Sequence, residues 1–134
     1  MANLRNVEGI GKTYAGKLEK AGVKTTNGLL KHGATRKGRS ELAASSGCTE
    51  RQILEWVNRA DLFRIDGVGE EYSDLLEVAG VDSVPELAQR NAINLHQKMA
   101  EVNAAKRLVR QLPTSAAVSA WVAQAKTLPR VVKH

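Results

Sequence analysis

Two short stretches pair glycines with side chains that could hold or repel a phosphate. The first reads Val7-Glu8-Gly9-Ile10-Gly11-Lys12-Thr13-Tyr14, and the second reads Ile65-Asp66-Gly67-Val68-Gly69-Glu70-Glu71-Tyr72. They superimpose without a gap at an offset of 58 residues. A turn with two glycines ahead of a helix leaves backbone N–H groups bare where an anion can dock. In the first copy Lys12 and Thr13 add a cation and a hydroxyl at that point, and Lys17 follows on the same helical pattern. In the second copy Glu70 and Glu71 stand at the matching positions, with Asp66 just ahead. Carboxylates repel a phosphate, so Gly9 and Gly11 are expected to bind an anion better than Gly67 and Gly69.

A separate basic cluster, Thr35-Arg36-Lys37-Gly38-Arg39, places three cations within four residues at a helix start. Arg36, Lys37 and Arg39 therefore join the candidate phosphate contacts on electrostatic grounds. Lys106, Arg107 and Arg110 lie on about one helical face if a helix runs through them, and capping and solubility are the roles expected there. Catalytic chemistry finds little support. His32, His96 and His134 are far apart and lack ligand-spaced partners, so no metal centre, cofactor or catalytic set is expected. Cys48 is the only cysteine and has no cue for an activating partner; it reads as a small packing residue.

These residues need helices to position them, and helical periodicity dominates the chain. Tyr14, Leu18 and Ala21 fall on one helix face, and Gly22 sits where a left-handed residue ends a helix. Thr25 and Thr26 offer N-caps for a short helix stopped at Gly33. Thr35 opens a third helix that ends at Gly47, and Thr49 caps the strongest, Glu50 to Phe63, with Ile53, Trp56, Val57, Ala60 and Phe63 on one stripe. That stripe recurs as Val118, Trp121, Val122, Ala125 and Leu128 at an offset of 65, so about seven residues entered between the matched parts, in the segment from Asn91 to Leu112. Ser83 caps a helix with Pro85 at its first position. Thr114 or Ser115 caps the last helix, and Pro129 closes it. No segment alternates apolar and polar residues over a strand's length.

The 134 residues suffice for one compact domain, read as repeat one over about 1–63 and repeat two over about 64–134, sharing a core. Charge is unevenly spread: +7 over residues 1–40, −1 over 41–60, −6 over 61–102 and +6 over 103–134. Such asymmetry bears on partners. One cysteine fits a reducing compartment, and neither an N-terminal apolar core nor a run of about 20 apolar residues is present, so a cytoplasmic protein with no membrane partner is expected.

The apolar-x-Gly-apolar-Gly turns with their following helices resemble helix-hairpin-helix modules at both copies. That resemblance implies an all-α, SAM-like architecture of two fused repeats. It also implies sequence-independent contact of the paired hairpins with a duplex minor groove, with Gly9, Gly11, Lys12 and Thr13, and Gly67 and Gly69, as the matching positions. Some relatives of that kind are glycosylases or lyases. This chain is short for the former, and Lys12 or Lys17 as a lyase lysine is indistinguishable from a phosphate contact. A longer pattern is more specific. It runs from Gly9-Ile10-Gly11 through Lys31 to Arg39 and Glu55 to Leu62, then includes Arg90-Asn91, Asn94-Leu95-His96 and Trp121-Val122. Over nearly the whole chain this pattern is similar to a bacterial family known only as domain of unknown function (DUF) 4332. The expected function is non-catalytic binding of nucleic acid, with duplex DNA as the leading partner. The alternative is a protein-interaction adaptor, with a homodimer among its partners.

Overall fold

The structure, a computed structural model, describes residues 3–7 and 9–133, Asn6 through its backbone alone. The architecture is all-α. A 3-10 turn at Leu4–Asn6 precedes α1 (Lys12–Lys20), α2 (Thr26–Gly33), α3 (Arg36–Ser46), α4 (Glu50–Leu62), α5 (Glu70–Val78), α6 (Val84–Ala88), α7 (Ala92–Lys106) and α8 (Ser115–Thr127). The one extended pairing among the described residues is an isolated bridge between Asn3 and Thr25. Among those residues no helix is long and apolar enough to cross a membrane.

Side-chain caps set most helix starts, as the sequence pattern predicts. Thr25 accepts the Gly28 N–H at 3.1 Å, Thr35 the Gly38 N–H at 3.0 Å, and Thr49 the Gln52 N–H at 3.1 Å. Ser83, Asn91 and Thr114 do the same for α6, α7 and α8. Each such bond satisfies one of the N–H groups that a helix start leaves without an intrahelical partner. Gly47, in the left-handed region at φ 79°, ends α3 where expected. Pro85 lies one residue further into α6 than its predicted place, because Val84 opens that helix.

The chain divides into two compact units, one of Met1–Asp61 with Arg130–His134 and the other of Leu62–Pro129. Unit 1 buries Leu4, Val7, Ile10, Leu18, Val23, Leu29, Ile53, Trp56 and Val57. Its final segment comes from the end of the chain: Val132 is buried, and the Lys133 N–H donates to the Ala34 carbonyl at 2.7 Å. Unit 2 is built round Leu62, Ile65, Leu75, Leu76, Leu87, Leu95, Met99, Val118 and Trp121, with α8 packed on α6 and α7. Burial of this apolar surface is the main favourable term holding each unit together.

Backbone bonds repeat with the sequence. Ile10 N–H to Val7 O (3.0 Å) matches Val68 to Ile65 (3.1 Å), and Val23 to Leu18 (2.9 Å) matches Val81 to Leu76 (2.8 Å). Leu29 to Thr25 (2.9 Å) matches Leu87 to Ser83 (3.0 Å). The offset of 58 is thus a repeat of local structure as well as of residue type.

α7 is the element that the sequence pattern did not resolve. It ends at Lys106, and Arg107 turns out of it at φ 50°, ψ 51°. Lys106, Arg107 and Arg110 therefore do not share a helical face; the last two belong to the connection that follows.

Candidate functional site

Each glycine pair sits in the same frame. Gly9 has φ 88° and Gly67 φ 89°, a region that side chains with a Cβ rarely adopt. A Cβ on Gly9 would lie 3.1 Å from the Trp56 Nε1, and one on Gly67 would lie 3.2 Å from the Trp121 Nε1. Any other residue at either turn would be strained by its φ and would need the indole behind it to give by a few tenths of an ångström. Trp56 and Trp121 are each 4% exposed, so the two tryptophans occupy the equivalent buried places that the repeated stripe predicts. Tyr14 tilts against Trp56 with ring centroids 5.2 Å apart at 53°, and Tyr72 against Trp121 at 5.4 Å and 49°. Such tilted aromatic pairs are favourable beyond their buried area.

The second glycine of each turn differs. Gly11 and Gly69 are the N-caps of α1 and α5 at φ −85° and −109°, and nothing lies within 4 Å of a Cβ built on either. Neither conformation nor packing requires glycine there. Both caps also lack a side-chain hydrogen bond, whereas Thr25, Thr35, Thr49, Ser83, Asn91 and Thr114 cap the other six α-helices. Glycine at these two starts leaves the first-turn N–H groups without a side-chain cap, and the place a Cβ would take is open.

The charges beside the two openings are opposite. Lys12 and Thr13 are exposed in the first turn of α1, which holds no acidic residue, while Glu70 and Glu71 are exposed in the first turn of α5. A helix N-terminus carries partial positive charge, so the carboxylates suit α5 itself and compete with any external anion. Lys17 is exposed, with its Nζ over the Tyr14 ring at 5.5 Å from the centroid, a cation–π contact.

The basic cluster does not act as one group. Arg36 and Lys37 are exposed in the first turn of α3, a helix that packs against α1 within unit 1. Arg39 is buried, 4% exposed, and donates from Nη1 to the Gly33 carbonyl at 2.8 Å and from Nη2 to the Lys133 carbonyl at 2.9 Å. Burial and the nearby Arg36 push its pKa down, against an upward pull from Glu50. Arg39 thus leaves the solvent-facing set and joins the scaffold. Gly38 has a packing role too, because a Cβ there would collide with the His32 carbonyl oxygen.

Cys48 is buried, His32 is exposed, and the His96 Nε2 lies 2.9 Å from the Pro113 carbonyl. His134 lies outside the described residues. Among those residues no three His, Cys, Asp or Glu side chains come close enough to hold a metal ion. Sequence reading missed Asn103, whose side chain donates to the Val109 carbonyl at 3.2 Å and accepts its N–H at 3.0 Å. An asparagine late in a helix carries no sequence signal for that clamp.

A family model described as "Domain of unknown function (DUF4332)" matches residues 8–128. No curated protein and no solved structure matches the chain.

Proposed function

The chain belongs to the DUF4332 family, whose description names no activity, and from its geometry we propose a non-catalytic module that binds nucleic acid without reading sequence. In this reading the turns at Gly9 and Gly67 are the hairpins of two fused helix-hairpin-helix repeats, and duplex DNA is the preferred partner. The observation that carries it is the uncapped start of α1, where Gly11 leaves open space beside exposed Lys12 and Thr13. A backbone phosphate fits such an opening, because N–H groups, the helix dipole and a lysine all favour an anion there. Charge supports the same side. Unit 2 holds seven Lys/Arg against eight Asp/Glu, a balance of −1, so unit 1 carries +7 and accounts for the chain's net +6. Lys17, Arg36 and Lys37 add further exposed cations, and Arg39 holds the scaffold under them.

A salt titration of binding to duplex and single-stranded DNA tests this. Lys12→Glu, which imitates the second copy, should weaken duplex binding and lower the slope of log K against log salt by about 0.9 for each phosphate no longer neutralised. Glu70→Lys should strengthen binding. If the parent protein does not bind DNA, or if both variants bind as it does, the glycine turns are corners between helices. The adaptor reading then takes over, tested by sedimentation at low and high salt.

A further inference from the structure

Unit 2 carries an open concavity of about 560 Å³ lined by Glu71, Asn103, Arg107, Leu108, Val109 and Arg110. The segment forming it is held from both ends. Asn103 grips Val109 through both its N–H and its carbonyl, and the Tyr72 hydroxyl donates to the Gln111 carbonyl at 3.0 Å. Between these ties Arg107 is the one non-glycine residue with a positive φ among the described residues. The left-handed region favours glycine at a helix end, so an arginine kept there points to a use for its side chain. Both Arg107 and Arg110 are exposed, and among the described residues neither guanidinium has a hydrogen-bond or ion-pair partner.

Unit 1 has no counterpart of this segment. Three residues join α3 to α4, whereas eight join α7 to α8. This longer connection supplies five of the seven residues by which the offset between copies grows, from 58 at the tyrosines to 65 at the tryptophans. The unit whose hairpin is acidic is thus the one that carries extra chain with two arginines beside that hairpin. Glu71 in the same concavity reduces its charge to a net +1, which suits a singly charged phosphodiester better than a doubly charged terminal phosphate. We propose that this concavity holds a backbone phosphate of the nucleic acid, so that unit 2 meets the strand through Arg107 and Arg110 and not through its glycine turn. The proposal rests on the nucleic-acid reading above.

The test is anisotropy of a fluorescein-labelled duplex titrated with the full chain at several salt concentrations. Arg107→Gly and Arg110→Ala should each lower the salt slope by about 0.9, and Glu71→Gln should tighten binding. Arg107→Gly should keep or raise the Tm, because glycine takes the left-handed turn without steric cost. If Lys12→Glu weakens binding while these three variants bind as the parent does, the concavity proposal fails and the hairpin reading stands. Weakening by Arg107→Gly and Arg110→Ala with Lys12→Glu unchanged upholds the concavity and sinks the first hairpin. A drop in Tm that accounts for the weaker binding of both arginine variants overturns the proposal, and a parent that binds no DNA overturns both readings.

Discussion

The guanidinium of Arg39 has a carbonyl at each end, Gly33 from α2 and Lys133 from the last segment of the chain. A buried charge is tolerated when hydrogen bonds replace its water, and truncating it leaves those acceptors unsatisfied. Arg39→Ala should therefore lower stability by about 2–4 kcal/mol in urea unfolding, on the scale of two charge-assisted bonds. Arg36→Ala and Lys37→Ala, both at exposed positions, should stay within about 0.5 kcal/mol of the parent. On the binding reading those two variants also reduce the salt slope, so stability and affinity separate within one four-residue run. Sequence alone gives three cations in that run and no means of telling them apart. The distinction arises from where the chain end docks, 94 residues away in sequence.

At the scale of elements, each glycine turn is braced by a tryptophan against the glycine and a tyrosine against the tryptophan. Trp56→Ala and Trp121→Ala should each cost about 3–5 kcal/mol, because removing a buried indole forfeits its transfer energy and leaves a cavity. Differential scanning calorimetry would show whether each loss falls on its own unit. These elements were legible because their signals are local. Thr25, Thr35, Thr49, Ser83 and Thr114 sit at helix starts, and the stripes around Trp56 and Trp121 have a helical period. α7 was not legible for the same kind of reason. Of its fifteen residues only Leu95 and Met99 are buried, too few to mark a face, and the turn at Arg107 uses no glycine. The glycine turns themselves stood out in the sequence. What it does not reveal is that Gly9 and Gly67 are favoured by a left-handed conformation and a close indole, while nothing of the kind holds glycine at Gly11 and Gly69.

On the scale of the whole molecule, the second unit is enclosed in the sequence of the first, since Met1–Asp61 is completed by Arg130–His134 after Leu62–Pro129 has intervened. Ending the chain at Pro129 removes buried Val132 and the Lys133 bonds to Ala34 and Arg39. That truncation should cost unit 1 about 2–4 kcal/mol, from one buried aliphatic side chain and its accompanying hydrogen bonds. Amide exchange should show reduced protection over α2 and α3, with unit 2 unchanged; an equal reduction in both units would contradict the division. The same closure imposes an order on biosynthesis. At about 5–20 residues per second, the 68 residues between Asp61 and Arg130 take roughly 3–14 s to translate. Throughout that interval Arg39 has been made but its Lys133 acceptor has not. The bond from Arg39 to Lys133 is therefore among the last contacts of the first unit to form, after all of the second has been synthesised.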